Sequence, residues 1–347
     1  MVRVGINPAR DRKSSYRPAR VTVAILVYIP YLGGYFKEKL EVLGLSLTSL
    51  FRNTGEVYDL LVFDNGSCEE VRSYLRTLHS DGSIRYLIHS SENIGKIGAL
   101  QMIFGAAPGE LVAYADDDIF FYPGWLKAEL EIFNVFPKTG MVSGCAVRSI
   151  FDYGGSSARR LAEEHNAARI EKVQWIDEQR EAQWAESVGR NVEVHLQSIE
   201  TIQESVLHFE DSQAYAAANH FQFLADRQMI LDHLPSHWSG RLMGEMIALD
   251  ESVDRAGYLR LSTIEQFTRH IGNTIGESMT AEAAGMGIEI GESDGRHAGA
   301  VPSRIERRLF RSRRARRLLQ GIYNRLFWVL SQESGTWAEP DQGRNEN

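Results

Sequence analysis

Residues 109–125 read GELVAYADDDIFFYPGW, an apolar run that ends in Asp116, Asp117 and Asp118 before the chain turns aromatic. Three adjacent carboxylates repel one another unless a cation or strong donors compensate them. A divalent ion is the simplest compensation. On an extended chain alternate residues project to the same side, so Asp116 and Asp118 are expected to converge on one site while Asp117 points elsewhere. Hard oxygen ligands in a wet cleft suit Mg2+ or Mn2+, which complete their shell with water and substrate phosphate. The expected ligand therefore carries a diphosphate. Such a run can equally be a solvated turn or a helix cap, and the neighbouring loops must decide.

Two further stretches hold suitable residue types. Asp64-Asn65-Gly66-Ser67 reads either as a turn with an N-cap, or as a carboxylate at a strand end that accepts hydrogen bonds from a nucleobase. Asn93-Ile94-Gly95-Lys96 reads either as a helix start, or as a backbone approach to phosphate with Lys96 supplying charge.

The elements that must position these loops follow from periodicity. Val21 to Tyr28 is a β-branched apolar run, as in a strand buried on both faces, and Pro30 with Gly33-Gly34 ends it. Phe36, Leu40, Leu43, Leu47, Leu50 and Phe51 then recur at spacings of three and four, which predicts a helix over 35–52 that stops at Asn53-Thr54-Gly55. The alternation repeats with a strand at 58–63, a helix at 69–78, a strand at 84–88, a helix at 96–106 and a strand at 111–115. Such order implies an α/β fold with a largely parallel sheet. Ligands of open sheets sit outside the carboxyl ends of the strands, where the three loops lie. A helix at about 124–135 and a strand near 141–145 follow. Residues 152–210 are expected to form a helical insertion covering one side of the site. A strand is expected at 216–224, then a helix carrying Asp250 and Glu251 that ends at Gly257. Residues 271–300 are glycine-rich and expected to be mobile.

The order VTVAILVYIP, VFDNGS, ENIGKIGAL, GELVAYADDDIFFYPGW resembles the nucleotide-sugar-dependent glycosyltransferases of family 2, which have the GT-A fold. The resemblance is specific over about residues 21–145 and thins beyond. It implies a Rossmann-like, mixed, largely parallel sheet flanked by helices. It implies a nucleotide-diphosphate sugar donor held by Tyr28, Pro30, Asp64, Asn65, Asn93, Gly95, Lys96, Asp116 and Asp117, the last at the donor's ribose. The aspartate run corresponds to the family's DxD motif, so Mn2+ or Mg2+ would be held by Asp116 and Asp118. His270 in FTRHIGNT resembles the late histidine that many members add as a metal ligand. LDESVDRAGYLRLS at 249–262 resembles the late acidic helix whose carboxylate deprotonates the acceptor. Asp250 is the expected base and Glu251 the second choice; Glu245 stands third, because no clean Glu-Asp pair precedes Gly257 at the usual distance. The alternatives are that Asp250 caps a helix and that His270 is structural. His220 in AAANHFQFLADR follows an apolar run and reads as an acceptor-side group or a core histidine.

Composition bounds the rest. Hydrophobic residues make up 43% of the 347, enough for a sizeable core, and the net charge of -8 discourages nucleic-acid binding. Basic residues concentrate in an arm, 1–20, and in 301–332, where Leu318, Ile322, Leu326 and Phe327 line a stripe beside dense arginine. That segment is expected to be an amphipathic helical extension, either lying on an anionic membrane surface or packed on its own domain or across a homodimer. The remaining divisions are a catalytic domain at 21–270 and a disordered tail at 333–347. Two cysteines without metal-ligand spacing fit a reducing cytosol, and VTVAILVYIPYL is too short to span a bilayer. A cytoplasmic protein, peripheral on the inner membrane face, is expected.

These readings converge on a metal-dependent inverting transferase acting on a glycan or lipid-linked acceptor. A UDP-sugar is the first choice of donor, with GDP- or dTDP-sugars as alternatives. A nucleotidyltransferase and a non-catalytic membrane-associated scaffold remain as competing readings. Dinucleotide oxidoreduction fits poorly, since no G-x-G-x-x-G follows the first strand.

Overall fold

The computed structural model describes residues 7, 9–148, 155–175, 177–236, 242 and 245–290. The expected helix at 301–332 and the tail at 333–347 lie outside them, as do parts of the arm and the insertion.

The first half is built as the periodicity predicts. β1 (Val21–Val27), β2 (Tyr58–Asn65), β3 (Tyr86–Ser90) and β4 (Leu111–Asp116) alternate with α1 (Lys39–Asn53), α2 (Glu69–Ser80) and α3 (Gly95–Ala106). β1 is buried along its whole length between β2 and β4, both parallel to it, which is why it reads as an unbroken apolar run. α1 closes where the Thr54 hydroxyl donates to the Leu50 carbonyl, satisfying a last-turn acceptor.

After β4 come β5 (Ile119–Phe121), α4 (Trp125–Val135), β6 (Thr139–Ser143), α5 (Ser156–Glu164), β7 (Ala168–Val173), α6 (Glu178–Ser187) and α7 (Val192–Ile199). β8 (Glu204–Phe209), β9 (Ser212–Tyr215), β10 (Gln222–Asp226), α8 (Arg227–His233), α9 (Met246–Arg255), β11 (Leu259–Ser262), β12 (Thr268–His270) and α10 (Glu277–Gly285) complete the described chain. Among the described residues one sheet runs β3-β2-β1-β4-β10-β6-β11-β9-β8-β7, with β10 antiparallel to both neighbours and β12 pairing separately with β5. This is the mixed, centrally parallel, helix-flanked sheet expected of a GT-A fold.

Each sheet face carries its own core. Val23, Ile25 and Val27 pack with Leu43, Leu47 and Leu50 of α1, Val71 and Leu75 of α2, and Trp125 of α4. Ala24, Leu26, Leu61 and Phe63 face Ile97, Leu100 and Phe104 of α3, Ile230 of α8 and Leu249 of α9. Burying each such Leu, Ile or Phe contributes about 1.5–3 kcal/mol. The two layers hold the carboxyl ends of β1, β2 and β4 level with one another.

Three expectations fail. The insertion is not purely helical: β7 pairs antiparallel with β8 and extends the sheet, burying Ala168 against Leu207 and Phe209. The strand expected at 216–224 begins only at Gln222, because Ala216–Phe221 forms a bend, at the end of which the Phe221 carbonyl accepts the Asp116 N–H. Within the glycine-rich stretch, residues 277–285 form α10, whose Met279 and Ala283, one turn apart, pack on Val42, Leu45 and Phe120.

Candidate functional site

A cavity of about 360 Å³ opens where β1, β2 and β4 end. Its wall includes Tyr28, Lys39, Asn65, Asn93, Lys96 and the three aspartates, so all three loops singled out by sequence meet there. Tyr35, Phe36 and Leu242 complete the mouth.

The aspartates are sorted by backbone geometry. β4 stops at Asp116 and residues 117–118 form the turn into β5, so the chain is not extended here and the expected alternation does not occur. Asp116 receives the Lys96 ammonium on both oxygens at 2.8 Å, along with the Tyr114 hydroxyl. Asp117 and Asp118 instead share Lys39, whose Nζ lies 2.5 and 3.0 Å from them. Asp117 Oδ2 also accepts the Tyr28 backbone N–H at 3.2 Å, tying the end of β1 to the turn. Both Asp117 oxygens are thus engaged.

Asp118 differs. Its Oδ1 is buried and has no hydrogen-bond partner among the described residues, and it stands 3.5 Å from His270 Nε2. The other ring nitrogen of His270 is bonded to the Ser187 hydroxyl at 2.7 Å, at the end of α6. Gly272 (φ +92) lets the chain beyond His270 pass against the Ser187 carbonyl, where a Cβ would collide. The end of α6 thus packs against His270 and fixes the ring so that Nε2 faces the orphaned carboxylate oxygen. Among the described residues no three His, Cys, Asp or Glu side chains form a complete metal cluster. An Asp–His pair with an uncommitted buried oxygen nevertheless fits Mn2+ or Mg2+, which take few protein ligands and fill the shell with water and phosphate oxygens.

Electrostatics follow from the packing. Burial pushes the Asp117 carboxyl above its ordinary range, outweighing the Lys39 ammonium. Asp118 suffers the same desolvation, but Lys39, His270 and Lys96 outweigh it and hold its carboxyl below that range. Burial opposes the charge on Lys39, and its two carboxylate partners overcome this and raise it.

At the β2 and α3 edge of the cavity, Asn65 Nδ2 donates to Asn93 Oδ1 at 2.9 Å, while Asn65 Oδ1 accepts the Ile94 N–H at 2.9 Å. Gly95 adopts φ +73 as it opens α3, and Lys96 follows it into the cavity wall. Asp64 is fully buried and is not part of that wall. Strand alternation sends it to the opposite face from Asn65, where its oxygens accept the Ser67 N–H at 2.8 Å and meet His89 Nδ1 at 2.9 Å. The contact expected from Asp64 to a base thus becomes a turn-holding one. Pro30 is half-buried and also outside the wall.

Of the two carboxylates expected to act as base, Asp250 is fully buried against Arg260 at 3.1 Å and His220 at 3.4 Å, away from the cavity. Glu251 lies on the outer face of α9, 53% exposed, and pairs loosely with Arg255 at 3.8 Å. Sequence reasoning missed Lys39, Ser187 and the aromatic mouth. Lys39 had a signal: it falls three residues after Phe36 and four before Leu43, on the apolar stripe, where a charge must have a partner. Ser187 had none.

Residues 35–188 match the family model described as glycosyl transferase family 2. No curated protein sequence matches the chain. Among solved structures it is similar to a mannosyltransferase from Pyrobaculum calidifontis in complex with GDP-Man and Mn2+, at 22% identity over 39% of this chain and 37% of that one, with a TM-score of 0.32. It is also similar to S. aureus TarS 1-349 in complex with UDP-GlcNAc, at 11% identity over 76% and 61% of the two chains, TM-score 0.42. A third is glucosyl-3-phosphoglycerate synthase from Mycobacterium tuberculosis in complex with Mn2+, UDP and glucosyl-3-phosphoglycerate, at 14% identity over 72% and 71%, TM-score 0.38. The chain thus spans well under half of the mannosyltransferase and about three fifths of the TarS fragment. Among the described residues no helix is long and apolar enough to cross a membrane.

Proposed function

Since residues 35–188 belong to glycosyl transferase family 2, we propose that the protein moves a sugar from a nucleotide-diphosphate donor to an acceptor hydroxyl on a glycan or lipid-linked molecule, with inversion at the anomeric carbon. The observation that carries this reading is the convergence of three strand-end loops on one cavity, with Asp118 Oδ1 left without a partner opposite His270 Nε2. A diphosphate needs positive charge and the cavity wall supplies it. Lys39 and Lys96, each 6% exposed at the side chain, can shift from aspartate to phosphate oxygens without leaving the site. Asn65, Asn93 and the Tyr28 ring form the end where the nucleoside would lie, with a UDP-sugar as first choice over GDP- or dTDP-sugars.

Asp118 and His270 are the residues that would hold Mn2+ or Mg2+, with Asp116 close enough in the chain to contribute through water. Such an ion, when bound, neutralises charge on the departing diphosphate. Asp117, already fastened to Lys39 and the Tyr28 N–H, keeps the β4–β5 turn and the end of β1 in register. Of the two carboxylates expected near the acceptor, Asp250 faces inward against His220, whereas Glu251 points to solvent.

The test is a melting-temperature panel of nucleotide sugars with and without Mn2+, followed by product analysis. A metal-dependent rise with one donor class, and release of nucleoside diphosphate, supports the transferase. Release of pyrophosphate from a nucleoside triphosphate supplied together with a sugar 1-phosphate would favour the nucleotidyltransferase instead. Donor binding without turnover across varied acceptors would favour a scaffold.

A further inference from the structure

Asp250 presents a difficulty as a base. Its side chain is fully buried, Oδ2 is shared by Arg260 and His220, and Oδ1 is enclosed with no hydrogen-bond partner among the described residues. A carboxylate with no accessible surface cannot touch the hydroxyl of a glycan arriving from water. His220 can. Its side chain is 35% exposed, and Nδ1 lies 3.4 Å from Asp250 Oδ2. The next residue, Phe221, anchors this bend to the donor site twice: its carbonyl accepts the Asp116 N–H at 2.9 Å, and its ring stands 5.7 Å from that of His270. His220 is therefore in contact with the buried carboxylate and is the chain neighbour of the residue that holds Asp116.

Resting on the transferase reading above, we propose that His220 is the catalytic proton acceptor and that Asp250 is a positioning residue acting through it. The Nδ1–H donates to Asp250 Oδ2, which fixes the tautomer and leaves the Nε2 lone pair outward. The acceptor O–H passes its proton to Nε2 as the oxygen lone pair forms the bond to the anomeric carbon. The bond from that carbon to the diphosphate oxygen breaks, and the diphosphate leaves with the electron pair. Among the described residues, the charged groups that face this imidazole are Asp250 of α9 and, across the shared oxygen, Arg260 of β11. Arg260 balances the buried Asp250 charge before the proton arrives, and the carboxylate then stabilises the imidazolium that forms. The exposed edge of the ring returns the proton to water.

The test compares wild type with His220→Gln, His220→Asn and Asp250→Asn, each checked for folding by its melting temperature. Donor binding is read as the Mn2+-dependent thermal shift, and transfer as kcat and KM for donor and acceptor. Loss of a general base lowers kcat on the order of 10²–10⁴-fold. The expected result is that loss in both His220 variants, with donor KM and the donor-induced shift unchanged, and with free imidazole restoring part of the rate in His220→Gly. Asp250→Asn should fall less in kcat than the His220 variants. His220 variants that bind donor and transfer within about threefold of wild type overturn the proposal while leaving the transferase reading intact. Absence of imidazole rescue in a folded His220→Gly that binds donor also counts against it. A wild-type protein that turns over no nucleotide sugar overturns both.

Discussion

Replacing Lys39 by Met tests the electrostatic core of the site. Lys39 begins α1, where the helix dipole disfavours a cation, and its side chain is 6% exposed, so it is held there by Asp117 at 2.5 Å and Asp118 at 3.0 Å. At an effective dielectric constant of about 20, a unit-charge pair 3 Å apart attracts by about 5 kcal/mol, most of which offsets desolvation. Methionine fills a similar volume but leaves two buried carboxylates side by side. Removing one partner of a buried ion pair costs about 3–5 kcal/mol. For a domain of this size that lowers the melting temperature by about 10 °C. Differential scanning fluorimetry in EDTA should show this drop, and Mn2+ should restore more stability to the variant than to wild type, because the ion supplies the lost charge. Adding Asp117→Asn should recover part of the loss by removing one of the repelling charges. A variant melting within about 2 °C of wild type in EDTA, with no added response to Mn2+, would refute the reasoning.

Other expectations follow from single contacts. Gly66 has φ +88, and a Cβ there would sit 2.8 Å from the Glu92 carbonyl carbon and 2.9 Å from the Asn93 nitrogen. Gly66→Ala should therefore carry about 1–2 kcal/mol of backbone strain and displace Asn93, lowering both the melting temperature and nucleotide affinity by calorimetry. Ser187→Ala removes the bond that orients His270; losing a hydrogen bond that orients a metal ligand weakens metal binding by about 10–100-fold, which Mn2+ titration followed by electron paramagnetic resonance would detect without any turnover. Asp254 caps α5 by accepting the backbone N–H groups of Ser156 and Ser157 at 3.2 and 2.9 Å. Burial opposes ionisation of Asp254, but the hydrogen bonds from Ser156 and Ser157 prevail and lower its carboxyl below the ordinary value. Its contribution is therefore complete above the unfolded value of about 4 and fades as pH falls through the lower folded value. Urea melts should show Asp254→Asn less stable than wild type at neutral pH, with the gap narrowing in acid.

The parallel half of the fold was legible because each strand and helix announces its burial through period. β1 is apolar throughout since both its faces are covered, and α1 shows its stripe at spacings of three and four. The site was legible as loops but not as contacts. Nothing in DDD tells that β4 ends at its first aspartate, and that turn decides which lysine each carboxylate meets. Asp64 and Asn65 are adjacent letters, yet the pleat gives one to the turn and the other to the cavity. β7 and β8 escaped notice because β7 is half-exposed and reads as ARIEKV, with charges that also suit a helix. α10 hid among glycines that lie at its ends. The pairing of Ser187 with His270 joins residues 83 positions apart and depends on how the insertion folds back.

The most direct measurement of the central claim is product release by the purified protein from a UDP-sugar in the presence of Mn2+, followed by chromatography of the nucleotide. Wild type should yield UDP, and the yield should collapse with EDTA and in Asp118→Ala and His270→Ala variants that retain their fold. UDP formed at the same rate in EDTA, or in both variants, would contradict the Asp118–His270 metal site; UMP with sugar 1-phosphate, or no nucleotide product from any donor, would contradict the transferase itself.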